Sequence, residues 1–432
     1  MDIVIVAQYL RNIEVFEGNN NRFVYLAKLL TKHPENQIEI VTTDFYHGTK
    51  SHFKKVDKLP GVTVTALHES GYPKNVCLKR FSSHKELAGN ISRYLDERKI
   101  PDVCYCSVPS LDVADAVAAY CKKNNVRFIV DVQDLWPEAF KMVFHVPVVS
   151  NLIFAPMQKK ANRVYAQADQ IIAVSQTYVD RAMSVNTKCQ SPMVTYLGTE
   201  KATFDGYAAA SVDDLKKYAA TAPGTRDQVY EELVSEVLAG REIIRIAYCG
   251  TLGHSYDITC VIDAIRKLDE ADRSRIEFIV MGDGPKMAEF VSKAEGLPIR
   301  FTGRLTYPEM VWLLSRCDIA VNPIAKGAAQ SIINKHMDYA MAGLPVINTQ
   351  ECPEYRNLVE AYKAGVNCAC DNSDDVAEAI RTLCHDGALR AEMGVNSRKL
   401  ASDRFDRAKT YAAVCQIMMN GKEKHEDSGS QS

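Results

Sequence analysis

The sequence predicts an α/β protein of two doubly wound halves, each with a parallel sheet covered on both faces. From Arg241 onward, short apolar runs alternate with amphipathic segments of helix length. The residues before about 200 repeat that rhythm less cleanly. Most of the segments between runs are long enough for the crossover helices that parallel strand pairs require.

In chain order, the strand-like runs of the first half are "DIVIVA", "QIEIVTT", "GVTVTAL", "DVCYC", "VRFIVDV" and "QIIAVS". Helices are expected between them at 22–32 and 84–98, the second opened by the capping pair Ser83 and Glu86. The halves join near Leu197 to Ala202. A polar, alanine-rich segment at 207–240 fits neither rhythm and predicts an inserted pair of helices lying on the surface. The second half then offers "IIRIAYCG", "IEFIVMGD", "IRFTG", "DIAVNP" and "LPVINT". Pro285 stands near a first helical turn, and Thr306 with Glu309 makes a second capping pair. The helical pattern from Ala388 to Met419 is long enough to dock its end on the first half, and the polar "NGKEKHEDSGSQS" predicts a disordered tail.

With 52 basic against 54 acidic residues the chain lacks the basic excess of a nucleic-acid binder, although a small anion needs only a local positive site. Its 13 cysteines are scattered and never form Cys-x-x-Cys, which predicts a reducing compartment rather than a disulfide framework or a zinc site. Cys104/Cys106 and Cys368/Cys370 lie in strand-like runs and read as small buried hydrophobes. There is no signal-peptide pattern and no run of about 18 apolar residues that would span a bilayer. The expected location is cytoplasmic.

In open α/β sheets, ligands bind beyond the carboxyl ends of the strands. Gly250, Thr251 and Gly253 follow one strand directly, and Gly282 and Asp283 follow the next. Both turns suit close backbone approach to a phosphate, and both equally suit a tight strand-to-helix connection. A third strand end is the small-residue loop "AKGAAQS", which contains Ala328, Ala329 and Gln330 and leads into "SIINKHMDYAMAGLPVI". With Ser331 as N-cap and a helix from Ile332, the free amides and the helix dipole make an anion site, to which Lys335 adds a full charge. Asp338, one turn on and on nearly the same face, can hold two hydroxyls as on a ribose. The plainer reading is a solvent-exposed ion pair worth roughly a few tenths of a kcal/mol.

Asp134 and Glu138 of "DVQDLWPEAF" follow a first-half strand and suit contact with a sugar or acceptor; alternatively, Trp136 fills a core and Pro137-Glu138 starts a helix. His47, Lys50 and His84 are further acceptor-side candidates, against the ordinary reading of surface residues.

Taken together, "VNPIAKGAAQSIINKHMDYAMAGLPVI", "CGTLGHSYDITCVIDAI", "MGDGP" and "FTGRL" resemble the donor half of family 4 retaining glycosyltransferases of the GT-B fold. More narrowly, the chain is similar to bacterial capsule and exopolysaccharide transferases in which a Lys-x-x-[Glu/Asp]-Tyr helix replaces a glutamate-rich one. The resemblance implies an acceptor-side domain at 1–200, a donor-binding domain at 201–404, and a crossing helix plus tail at 405–432. It implies two Rossmann-like domains facing across a crevice. It makes Asp338 the ribose ligand and Lys335 a pyrophosphate contact, and it lets Gly303, Arg304 and Leu305 border the base. Gly18 and Asn19 of "FEGNNNRF" take the place of the family's glycine loop.

Three departures stand out. Gln330 occupies the first acidic position of the family's E-x7-E pattern, the Arg and Lys often found after the glycine strand are missing from "GTLGHSYD", and Gln133-Asp134 replaces a His-Asp pair. Lys335, Gln330 and Asp134 are thus the implied catalytic set. The implied activity is metal-independent retaining transfer from a nucleotide diphosphate sugar, taken as UDP-linked, to a hydroxyl of a glycan or lipid-linked acceptor. No cofactor is implied, and the leaving phosphate itself can take the acceptor's proton. A lipid-linked acceptor would bring the protein to the cytoplasmic face of a membrane. A nucleotide-sugar epimerase of the same architecture and a non-catalytic nucleotide-sugar binder are the competing readings. A dinucleotide dehydrogenase is disfavoured, because no Gly-x-Gly-x-x-Gly follows the first strand.

Overall fold

The computed structural model describes residues 1–10, 13–16, 21–75, 77–143, 147–221, 228–240, 242–328 and 332–420. The chain divides into two compact units, Met1–Tyr196 with Tyr411–Ser432, and Leu197–Thr410.

The first unit contains β1 (Asp2–Val6), β2 (Gln37–Thr43), the short hairpin β3 (Phe45–Tyr46) and β4 (Ser51–His52), β5 (Val62–Leu67), β6 (Val103–Val108), β7 (Arg127–Val132), β8 (Gln170–Ala173) and β9 (Met193–Val194). All except the hairpin form one parallel sheet in the order β5-β2-β1-β6-β7-β8-β9. Every residue of β1 is buried. Ile3 and Ile5 pack with Phe23, Ala27 and Leu30 on one face, while Val4 and Val6 pack with Leu87, Ile91 and Val117 on the other. A strand covered on both faces has no polar side, which is why it reads as an unbroken apolar run. Cys104 and Cys106 of β6 are fully buried on one face, as small hydrophobes.

The helix Arg22–Leu30 is capped by Asn21, whose side chain accepts from the Phe23 amide. The second helix runs Leu78–Glu97, so Ser83 and Glu86 are interior residues rather than a cap. Tertiary partners have taken both groups: Ser83 Oγ donates to Glu69 Oε1 at 2.8 Å, and Glu86 Oε2 accepts from the Ser70 amide at 2.8 Å. The hairpin and β9 were not foreseen, being two-residue strands too short to carry a periodic pattern. The last helix, Arg407–Met419, inserts Tyr411, Val414, Cys415 and Met418 into the first unit's core. The predicted tail lies outside the described residues beyond Asn420.

A buried ion pair ties this unit together. Arg22 Nε lies 2.7 Å from Asp131 Oδ2, with both side chains almost inaccessible to water. Tyr105 donates a second bond to Asp131 at 2.6 Å, and the guanidinium lies 4.6 Å from the centre of the Tyr411 ring.

The second unit carries β10 (Ile244–Cys249), β11 (Ile276–Met281), β12 (Ile299–Phe301), β13 (Ile319–Asn322), β14 (Val346–Asn348) and β15 (Gly365–Asn367). They form a parallel sheet in the order β12-β11-β10-β13-β14-β15. Cys368 and Cys370 fall just past β15 instead of sharing a strand face, and only Cys368 is buried. The helix after Pro285 begins at Met287, and that at Tyr307–Leu314 opens on the predicted pair, with Glu309 accepting from the Thr306 amide at 2.9 Å.

The segment at 207–240 is not a surface excursion. Helices Lys201–Ala208, Val212–Thr221 and Gln228–Leu238 bury Phe204, Leu215, Tyr230 and Leu233, and the Ala210 carbonyl accepts from Trp312 Nε1 at 3.1 Å. The helix they cover, "YPEMVWLL", buries Val311, Trp312, Leu313 and Leu314 in succession and needs cover on more than one side.

Asp131→Leu is expected to destabilise the first unit by about 3–5 kcal/mol, because it leaves the Arg22 guanidinium buried without its counter-charge. Adding Arg22→Met should recover most of that loss. Hydrogen exchange of the β6 and β7 amides in urea measures both.

Candidate functional site

In the second sheet the chain steps outward from β10 to β11 and β12, then crosses to β13 on the other side, so the strand order reverses between β10 and β13. Loops leaving two such strands diverge and open a space at their carboxyl ends. A cavity of about 930 Å³ lies there, lined by Gly250, Thr251 and Tyr256 after β10, Gly282 and Asp283 after β11, Arg304 and Leu305 after β12, and Lys335 and Asp338 from the helix Asn334–Ala342. Eight residues singled out in the sequence are thereby brought to one cavity. Gly253 shares the β10 turn without lining the cavity, and Ala328 stands on the loop before the helix. Gln330, Ala329 and Ser331 lie outside the described residues.

Two expectations for this loop need correction. The helix begins at Asn334, two residues later than a Ser331 cap would place it, with Ile333 extended at the N-cap position. Ile332 is buried, which anchors the chain before the helix, and His336 Nδ1 accepts from the Ile333 amide at 3.3 Å. Three of the described loop amides are also not free. Those of Ala325, Gly327 and Ala328 donate to the Ser255 carbonyl, the Glu351 carboxylate and the Ala325 carbonyl.

Lys335 and Asp338 are buried rather than exposed, and among the described residues they do not form an ion pair. The Lys335 ammonium sits 4.1 Å from the centre of the Tyr248 ring and 3.7 Å from that of Tyr256. Among the described residues no hydrogen-bond acceptor reaches it. Burial without a counter-ion lowers its pKa to about 7. Asp338 accepts from Tyr307 Oη at 2.8 Å, and burial raises its pKa to about 7, against the lowering effect of hydrogen bonds from Tyr307 and Thr199. The two side chains therefore differ in partnership within one cavity: an unmatched cation and a carboxyl bonded by Tyr307 and Thr199.

The glycines have steric reasons. A Cβ on Gly282, at φ +155°, would stand 1.9 Å from the Gly250 carbonyl oxygen, so the β10 and β11 turns touch backbone to backbone. A Cβ on Gly250 would stand 3.2 Å from Lys335 Nζ, so this glycine keeps the space above the ammonium open.

In the first unit, His47, Lys50 and His84 converge with Tyr9, Tyr72, Arg80 and Trp136. Tyr9 Oη meets His84 Nε2 at 3.3 Å and accepts from Arg80 at 2.9 Å; His47 Nδ1 lies 2.6 Å from Tyr72 Oη. The Arg80 guanidinium lies 4.6 Å from the Trp136 ring centre, and His84 stacks on the same indole. Burial, with Lys50 and Arg80 nearby, lowers the pKa of His47 to about 4, and burial with Arg80 lowers that of His84 to about 3. Asp134 borders the group, accepting from its neighbour's amide and from Trp136 Nε1, and burial raises its pKa. Glu138 is occupied by Arg181 and Gln158; burial works to raise its pKa and the bond from Arg181 overrides that, holding it low. Both bonds go to Oε1; its buried Oε2 has no hydrogen-bond partner among the described residues. Gly18 and Asn19 lie outside the described residues. Tyr9, Tyr72 and Arg80 were missed in the sequence, where no spacing links them.

These arrangements can be set beside known proteins. Residues 244–386 match the family model for glycosyl transferases group 1. That match runs through the strands and loops whose ends line the cavity, from Gly250 to Asp338. Over 142 residues the chain is 28% identical to the GDP-mannose-dependent alpha-(1-6)-phosphatidylinositol dimannoside mannosyltransferase of Mycobacterium tuberculosis, a match spanning 32% of this chain and 35% of that protein. Among solved structures, Anabaena HepE in complex with UDP and glucose is similar at 14% identity and a TM-score of 0.60, covering 97% of this chain and 99% of its own. WaaG, a glycosyltransferase involved in lipopolysaccharide biosynthesis, is similar at 13% identity and a TM-score of 0.59, covering 97% and 100%. The fold is GT-B, with two Rossmann-like domains.

A carboxyl whose folded pKa is raised contributes stability that is present below its unfolded pKa near 3.8 and lost as pH rises to about 7. Asp338→Asn removes that loss. The melting temperature of the variant relative to the parent should therefore climb between pH 4 and pH 7, a window set by those two values. A difference that stays flat across the range would show that Asp338 ionises normally.

Proposed function

We propose that the chain is a retaining glycosyltransferase that moves a sugar from a UDP-linked donor to a hydroxyl of a glycan or lipid-linked acceptor in bacterial surface polysaccharide synthesis. The observation that carries this reading is the buried, uncompensated Lys335 ammonium in a cavity of about 930 Å³ at the sheet's reversal point. An anion is what such a site lacks.

In this reading the diphosphate meets Lys335 and the positive end of its helix, the ribose hydroxyls meet Asp338, and the base lies along Gly303 to Leu305. As the bond from the sugar's anomeric carbon to the phosphate oxygen breaks, charge builds on the leaving diphosphate and Lys335 opposes it in a dry environment. The acceptor hydroxyl bonds to the anomeric carbon, and its proton passes to the leaving phosphate. No metal is required, since the ammonium and the helix end supply positive charge at that oxygen. The acceptor is assigned to the first unit's aromatic and cationic cluster, with Tyr9, His47 and Lys50 as its half-buried rim. No described helix is long and apolar enough to cross a membrane, so a lipid-linked acceptor would be met at a membrane surface. A GDP-linked donor is the competing outcome, favoured by the mannosyltransferase named above.

Thermal shifts with UDP-, GDP- and ADP-sugars identify the nucleotide, because a ligand bound only by the folded chain raises its melting point. Lys335→Ala is expected to lower turnover by about 100- to 1,000-fold while leaving the melting temperature of the free protein unchanged or higher. Turnover within a few fold of the parent would remove Lys335 from the mechanism.

Binding should also be linked to protonation. Lys335, at a pKa of about 7, is mostly neutral at pH 8 and regains its charge beside a diphosphate, so complex formation should take up about one proton. Calorimetry in buffers of different ionisation enthalpy reads this number, and Lys335→Met should abolish it.

A further inference from the structure

Outside the cavity and the aromatic cluster, a third group of side chains converges in the first unit. β2 and β5 are parallel neighbours with Thr43 opposite Leu67, so the residues that follow, Asp44 and His68, leave the two strand ends side by side. The β3–β4 hairpin then folds His52 back over the same point. His68 Nδ1 lies 2.9 Å from Asp44 Oδ2, and His52 Nε2 lies 3.7 Å from Asp44 Oδ1. One ligand atom from each of the three lies within 4.8 Å of the others. The two imidazoles stack with their planes 14° apart. The carboxylate is already oriented, because its Oδ1 accepts from the Glu69 amide at 3.0 Å.

We propose that Asp44, His52 and His68 form a divalent metal site of the zinc class. Two imidazole nitrogens and one carboxylate oxygen suit Zn²⁺, whereas Mg²⁺ and Ca²⁺ prefer oxygen-only sets. His52 Nε2–H donates to the Glu69 carbonyl at 2.7 Å, so this nitrogen gives up that bond and its proton when it takes the metal. Three protein ligands leave a position open.

The placement gives the metal a structural task. The hairpin whose second strand ends in His52 carries His47 and Lys50 in its turn, and Phe45 at its start packs 5.0 Å from the Tyr72 ring. Bridging Asp44 and His52 to His68 would clamp this hairpin onto the segment that leads to Tyr72, fixing two rim residues of the cluster assigned to the acceptor. The metal-independent transfer proposed for the second unit is a separate matter, and metal binding here requires no turnover.

The test is calorimetric titration of Zn²⁺ into the metal-stripped, tag-free full chain, together with His68→Gln, His52→Gln and Glu86→Gln variants. The expected result is one saturable site that weakens by about 100-fold or more in either histidine variant and is retained in Glu86→Gln, a neighbouring carboxylate outside the ligand set. Hydrogen exchange of residues 45–52 should slow when Zn²⁺ is added to the parent and not when it is added to His68→Gln. Absence of a saturable site, or equal binding by the parent and both histidine variants, would overturn the proposal and leave the group as a surface His–Asp pair.

Discussion

An ammonium group held away from water with no described carboxylate beside it is the constraint on which the second unit's site depends. Burial alone would favour losing the proton, and the pKa of Lys335 falls to about 7 accordingly. What makes the position tolerable is local: Tyr248 and Tyr256 turn ring faces toward it, and Gly250 leaves room above it. Neither compensates a full charge. In the proposed function such a site is matched to a ligand that brings negative charge, and binding it would restore the proton.

The sheet topology supplies the position. Reversal between β10 and β13 parts the loops, and the close contact of the Gly250 and Gly282 backbones sets the cavity floor. Asp338 is turned from its helical neighbour by Tyr307, which belongs to a different helix and is itself held by the packed segment around 207–240. The inserted helices thus act on the site through the helix they cover.

Several residues of the candidate site were legible as a pattern. Glycines directly after strands, a lysine and an aspartate three apart near a helix start, and the alternation of runs were enough to place Gly250, Gly282, Lys335 and Asp338 on one rim. In the first unit only parts of the cluster were visible. His47, Lys50 and His84 were singled out as acceptor-side candidates, but Arg80, Tyr9 and Tyr72 belong to segments far apart in the chain, and nothing local distinguishes them. Ser83 and Glu86 mimicked a cap because the same short pattern serves tertiary hydrogen bonds equally well.

The sequence by itself determined the alternation of strands and helices, the parallel two-sheet architecture and the residues clustered at strand ends. Period and turn chemistry are properties of neighbouring residues and survive without the fold. Only the tertiary structure decided ionisation and partnership: that Lys335 and Asp338 are buried and apart rather than an exposed pair, that Glu138 pairs with Arg181 through one oxygen, and that Asp44, His52 and His68 meet. Burial and proximity between distant segments set the cost of a charge and the identity of its partner, and neither is encoded within the reach of a local pattern.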